Sequence, residues 1–380
     1  MHYNMNKNTF CLAPFYSVVV RTDGKISPCC NINGTVNIND ISIDQYWNSD
    51  EMQKIRQQML DGAEYIKVCD ACYKEEQLIG KSLRMGYPDN LRTVDKTHME
   101  NLVTNNIYTE IEYPHKVEMH VGNLCNLKCL TCRPSDSSQF LTENRQLNIS
   151  HEIQSDYQLD EATIEHNLNI AFEKNVQVLD LRGGESMLIP SIQQKLFELP
   201  ESTCKNTDLV IQTNGTVLSD TWKTILKKFR HISIILSIDA FDTDNHYIRY
   251  PADWSKIEES VTFYQAQPNV WISLNVTVSN LNFLVLPQLL DWIRLRNLYL
   301  NISLARWPEH FQYINMPVDL FNQGCDQLKN YPEAAQLLTA TTDTTNWLNF
   351  CQIIDQRDQH RKNSIFDVLP QYKPYWNQKL

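Results

Sequence analysis

Residues 117–132, VEMHVGNLCNLKCLTC, constrain this chain more than any other stretch. Val117 to Val121 alternate in polarity as a β-strand does, and Gly122 and Asn123 end the run. Three cysteines follow at once, Cys125, Cys129 and Cys132, in a C-x3-C-x2-C loop. Thiolates at that density suit soft metals, either zinc or an iron–sulfur cluster. Structural zinc sites repeat C-x2-C and close with four ligands, so the longer first gap fits a cluster better. Three thiolates also leave one metal position without a protein ligand and open to something else.

From residue 117 onward, β-rich runs alternate with helical patterns. The strands are expected at 117–121, 176–181, 208–212, 231–238, 270–278 and 298–304. Helices are expected at 134–147, 160–174, 190–198, 218–229, 253–266 and 283–296. This order predicts an α/β fold with a parallel sheet and right-handed crossovers. Ligands then sit at the C-terminal strand ends. Arg182-Gly183-Gly184-Glu185 follows the second strand and Thr213-Asn214-Gly215 the third. Ser237 and Asp239 follow the fourth, with Arg249 further on, and Asn275 and Thr277 lie on the fifth. The glycines admit a close backbone approach. Glu185 can accept from an ammonium group, and the Arg249 fork suits a carboxylate. Each feature alone reads as a turn, a salt bridge or a core hydrogen bond. Together with the cysteine loop they make five successive strand ends on one face, and that alignment marks a site.

Upstream, 9–32 reads as a hairpin turning at Asp23-Gly24. Residues 44–60 and 71–85 read as helices, and 88–115 as a polar linker with some helix. Cys11, Cys29, Cys69 and Cys72 make a complete four-thiolate set, for zinc or for a closed [4Fe-4S] cluster. Cys30 competes with Cys29, since neighbours on a strand project to opposite faces. Cys204, Cys325 and Cys351 are isolated and read as ordinary buried thiols. After residue 306 the alternation stops, leaving an aromatic-rich extension with a helix at 343–357. Trp307, His310, Tyr313 and Tyr16 read as pocket aromatics or as core. The divisions are 1–95, an auxiliary unit; 96–115, a linker; 116–306, the core; and 307–380, the extension.

Eleven cysteines, an odd number in CxxC-like spacings without an export signal, favour metal ligands over disulfides and point to the cytoplasm. The net charge of −11 argues against nucleic acid as a partner. No apolar run approaches the ~20 residues that span a membrane.

The ordered motifs CNLKCLTC, RGGES, TNG and LSIDAFDTDNHYIRYPADW resemble those of the radical S-adenosylmethionine (SAM) enzymes, over 117–306. Thr131 departs from the aromatic or bulky apolar residue common before the last cysteine. The resemblance implies a partial (β/α)6 TIM-like barrel with Cys125, Cys129 and Cys132 holding a [4Fe-4S] cluster. The free iron would take the amino and carboxylate groups of SAM. Gly184 and Glu185 would hold the amino group, Ser237 and Arg249 the ribose and carboxylate, and Asn275 the ribose. Gly183, Asn214 and Asp239 complete the implied cofactor set.

CLAPF, DGKISPCC, QYWNSDEM and CDACYKEEQ resemble the start of the SPASM/twitch auxiliary domains, which usually follow the barrel rather than precede it. This implies a small N-terminal α+β domain with one auxiliary [4Fe-4S] cluster on Cys11, Cys29, Cys69 and Cys72, ahead of a core with a C-terminal helical extension. The implied chemistry is reductive cleavage of SAM and hydrogen abstraction from a peptide, sugar or small molecule. Flavodoxin or ferredoxin would supply the electron, and the auxiliary cluster would carry electrons. A zinc-stabilised scaffold without turnover, or an active barrel beside a structural zinc, stands as the alternative.

Overall fold

The computed structural model describes residues 9–86, 101, 104–105, 112–149 and 159–378. One nine-stranded sheet runs through it in the order β3-β2-β1-β4-β5-β6-β7-β8-β9. The strands are β1 Ser17–Val20, β2 Lys25–Ser27, β3 Val36–Asn37, β4 Lys116–His120, β5 Val178–Arg182, β6 Asp208–Thr213, β7 His231–Ser237, β8 Val270–Val278 and β9 Tyr299–Leu304. From β4 to β9 each strand pairs in parallel with the next. The six expected strands are these, and the expected α/β alternation is the architecture.

The connecting helices pack the apolar face of the sheet. Several start where the sequence supplies a cap. The Asp160 carboxylate accepts from Thr163 N–H at 2.8 Å, and Ser219 accepts from Trp222 N–H at 3.2 Å. The helix expected from 134 starts at Ser138 instead. Ser137 caps it, accepting from Phe140 N–H, and donates its own hydroxyl to Leu127 O at 2.6 Å. The preceding residues are thereby drawn into the cysteine loop.

The N-terminal part is more broken than its pattern suggests. The hairpin covers only residues 17–27, because Ala13–Tyr16 forms a helical turn with proline near its start. The helix expected at 44–60 is two, Ile43–Trp47 and Asp50–Asp61, since Ser49 caps the second. Gly80, at φ 71°, ends Asp70–Ile79 and separates it from Leu83–Gly86. Most of the linker expected at 88–115 lies outside the described residues. β1 pairs in parallel with β4, Ser17 opposite Lys116, so the hairpin continues the core sheet.

The extension is helical, with Val318–Leu328 and Trp347–Arg361 its longest helices. The second starts four residues later than expected and reaches Arg361. Trp347, Phe350, Tyr372 and Trp376 pack ring on ring and anchor it. Among the described residues, no helix is long and apolar enough to cross a membrane.

A buried ion cluster joins this helix to the core. Glu143 pairs with Arg357 at 2.6 Å, Arg361 at 2.6 Å and Lys128 at 3.0 Å. Burial raises its carboxyl, but the pairing outweighs that and holds it at about 2. Removing one partner of a buried ion pair costs about 3–5 kcal/mol. Glu143→Ala is therefore expected to lower the unfolding free energy by about that much in a denaturant titration at neutral pH. The folded value lies below the unfolded ~4.3. The wild-type contribution is thus complete above that value and is lost as pH falls toward 2. Glu143→Ala should lack this part of the acid sensitivity.

Candidate metal centres

The cysteine loop leaves the C-terminal end of β4 and is pinned on three sides by backbone hydrogen bonds. Lys128 N–H donates to Tyr250 O at 2.7 Å and Leu130 N–H to Ile248 O at 2.8 Å. Ser138 N–H donates to Asn123 O at 2.6 Å. On the third side, Gly184 N–H donates to Gly122 O at 2.8 Å and Glu185 N–H to Leu124 O at 2.7 Å. A β-carbon on Gly184 would stand 2.3 Å from Leu124 O, and one on Gly183 2.6 Å from Gly122 O. The two glycines are therefore needed because one loop lies directly on the other.

These loops border a cavity of about 1060 Å³, including its open mouth. Cys125, Cys129 and Cys132 lie on its wall, with Gly183, Gly184, Asn214, Ser237 and Arg249 from the later strand ends. Burial pushes the Cys125 thiol up to about 12 and raises Cys129 and Cys132 as well. Such thiols keep their protons until a metal displaces them. Arg249 lies over Cys129, its guanidinium 3.9 Å from the sulfur.

Three residues of the expected set are off the wall. Glu185 is fully buried and accepts from Asn214 N–H at 2.8 Å and Met187 N–H at 3.3 Å. Burial pushes its carboxyl up to about 7 against those bonds. It ties the second strand end to the third. Asp239, also fully buried, holds Arg249 Nε at 2.8 Å and accepts from Thr277 N–H at 2.8 Å. It is a brace for Arg249. Asn275 is half-buried on β8, while Thr277, two residues along the same face, reaches the wall.

The sequence reading missed the charge on the wall side of β4 and β5. Lys116, Glu118 and His120 alternate on β4, opposite Val178, Asp180 and Arg182 on β5. Lys116 pairs with Asp180 at 2.7 Å, and Arg182 with Asp180 at 3.0 Å. His120 Nε2 lies 3.0 Å from Glu118. His120 and Arg182 reach the cavity. The signal was present as charged residues at alternate positions within apolar strands, which need buried partners.

The N-terminal cysteines gather elsewhere. Cys11, Cys29, Cys69 and Cys72 line one cavity of about 380 Å³, including its mouth. Burial pushes Cys29 up to about 12 and Cys69 up to about 11. Asn31 Nδ2 donates to Cys72 Sγ at 3.3 Å. Cys30 is exposed and off this cavity; its carbonyl accepts from Arg21, and its thiol is exposed to the field of Glu118 and Arg182. Cys11 precedes β1 and Cys29 follows β2, so both leave the sheet at the end opposite the cysteine loop.

Among the described residues, no group of three or more His, Cys, Asp or Glu is arranged around a single ion. A four-iron cube spreads its ligands over its corners, and both thiol sets surround cavities. The donor sets, three thiols in one and four in the other, fit such clusters. Cys204 and Cys351 are buried and Cys325 is half-buried, away from both sets. Trp307 and His310 flank Cys132 in a small pocket, while Tyr313 packs against Phe283 and Tyr16 stacks on His115.

Residues 11–73 match the model of the SPASM iron–sulfur cluster-binding domain. No curated protein matches the chain. Among solved structures, the chain is similar to native anSMEcpe with bound AdoMet, at 16% identity and a TM-score of 0.42. That match covers 60% of this chain and 62% of the other, less than two thirds of its length. SuiB from Streptococcus suis, bound to S-adenosylmethionine, matches at 14% identity and 0.42, over 92% of this chain and 77% of its own. The radical S-adenosylmethionine methyltransferase TsrM from Kitasatospora setae matches at 9% and 0.38, over 50% and 35%.

The contact between the loops gives a direct test. Gly184→Ala forces the 122–124 backbone away, and overpacking of this kind costs about 1–3 kcal/mol or more. The variant is expected to lose at least that much stability by denaturant titration. Gly80→Ala, where nothing lies within 4 Å of the added carbon, carries only the strain of a positive φ.

Proposed function

We propose that this chain is a radical SAM enzyme with an N-terminal auxiliary cluster. The observation that carries the reading is the cysteine loop at the C-terminal end of β4. It is zipped to the Gly183-Gly184 turn and faces Asn214, Ser237 and Arg249 across one cavity. The N-terminal match to an iron–sulfur domain supports the second centre.

In this reading Cys125, Cys129 and Cys132 would hold a [4Fe-4S] cluster whose remaining position would be open to SAM. When bound, the cluster supplies one electron to SAM, giving methionine and a 5′-deoxyadenosyl radical that abstracts hydrogen from the substrate. The chain's own residues bind and orient. Gly183, Gly184 and Asn214 border the amino end of SAM, and Ser237 and Arg249 its ribose and carboxylate. Glu185 and Asp239 act behind them, holding the Asn214 turn and the Arg249 fork. Thr277 takes the β8 position expected of Asn275. Cys11, Cys29, Cys69 and Cys72 hold the auxiliary cluster. With four thiolates it has no open iron, which favours electron transfer over substrate anchoring. A flavodoxin or ferredoxin is the proposed electron donor, the cytoplasm the proposed location, and a peptide, sugar or small molecule the proposed substrate.

Anaerobic reconstitution tests this. Two four-iron clusters give about eight irons per chain, and SAM with dithionite should yield 5′-deoxyadenosine. Cys125→Ala, Cys129→Ala and Cys132→Ala together should abolish that product and halve the iron. Cys69→Ala with Cys72→Ala should halve the iron while cleavage of SAM persists, and Cys30→Ala should keep all of it. Zinc in place of iron at the N-terminal site would sink the auxiliary-cluster assignment. A colourless wild-type protein would sink the whole reading.

A further inference from the structure

The C-terminal helix brings unbalanced positive charge under the cysteine loop. Glu143 is one carboxylate, yet it faces Arg357, Arg361 and Lys128. Arg357 and Arg361 expose only 2% and 1% of their side chains. Asn144 Oδ1 accepts from the second arm of Arg357 at 2.6 Å and adds no charge. The nearest further acid on the helix is Asp358, engaged by Tyr247 Oη at 2.8 Å and Ile365 N–H at 2.6 Å. Asp355 is exposed and takes Trp376 Nε1. Arg249 is already balanced by Asp239. Counting Glu143 and Asp358 as charged, the three cations still exceed their buried partners.

A buried charge without a counterion costs several kcal/mol. Two guanidinium nitrogens here, Arg357 Nε and Arg361 Nη1, are buried without a hydrogen-bond partner. What lies beside them is the cysteine loop. Arg361 donates to Lys128 O at 2.6 Å, between Cys125 and Cys129, and its charge acts on the Cys129 thiol. Arg357 lines the small pocket that Cys132 also lines. A four-iron cluster on three thiolates is an anion, and reduction adds one more negative charge.

We propose that Arg357 and Arg361 of the C-terminal helix, together with Lys128, are the countercharge for the cluster on the cysteine loop and raise its reduction potential. The inference rests on the radical SAM reading. It gives the extension a role in the chemistry as positioning residues acting through the cluster's field. One electron enters the cluster from the reductant, no bond is made or broken, and the buried cations favour that added charge.

The test is a redox titration with dithionite, followed by electron paramagnetic resonance on reconstituted protein without SAM. Arg357→Met and Arg361→Met each leave Glu143 two cations, so both should fold. Each is expected to lower the reduced-to-oxidised ratio of this cluster about tenfold at fixed potential, a downward shift of about 59 mV. Arg361→Lys, which keeps the charge and loses the fork, should titrate near wild type. Glu143→Gln should shift the potential upward, a reversal that a packing role does not produce. The auxiliary signal, identified in the Cys125→Ala, Cys129→Ala, Cys132→Ala protein, should not move. If both methionine variants carry full iron and titrate like wild type, the inference is overturned and the radical SAM reading stands. If wild type binds no four-iron cluster on this loop, both fall.

Discussion

Two backbone segments, residues 122–124 and 183–185, lie against each other with no side chain between them, and the mouth of the cavity depends on that contact. It sets the height of the cysteine loop above β4. It also sets the position of Glu185, whose carboxylate then reaches the Asn214 turn. Strand ends far apart in the chain are held as one rim by short hydrogen bonds. The small residues on the wall, Gly183, Gly184 and Asn214, are placed by what lies behind them.

The same division recurs at Arg249. Its fork is aimed by Asp239, and Asp239 is in turn held by Thr277 N–H. Carboxylates that resemble cofactor contacts in the sequence are supports in the structure. Burial explains this. A fully enclosed carboxylate needs hydrogen-bond donors around it, and backbone amides at strand ends are the nearest available. The cavity wall itself is lined by half-exposed groups of the rim and by the polar faces of the strands.

Charge runs through the molecule in two buried networks on either side of the loop. On the wall side, Lys116, Glu118, Asp180, Arg182 and His120 nearly cancel. On the far side, Glu143 does not cancel Arg357, Arg361 and Lys128. The asymmetry makes the loop the natural place for further negative charge. It also makes the extension part of the site's electrostatics, although it contributes no cavity-lining residue from the expected cofactor set.

Much of this was legible in the chain. Cysteine spacing, the alternation of strands and helices, the caps and the polar strand ends are local properties, written within a few residues of where they act. The six parallel strands followed from them, as did the residues at their ends. Partners distant in sequence were not legible. Cys29 rather than Cys30 faces the four-thiol cavity because the path after β2 turns one side chain inward, and that depends on helix 70–79 arriving opposite. Glu185 and Asp239 turned inward because strands paired in one register. Glu143 met arginines more than two hundred residues away because a C-terminal helix packed across the core. A sequence carries local preference and period, whereas burial and the sum of charges at a point exist only once separate elements have packed.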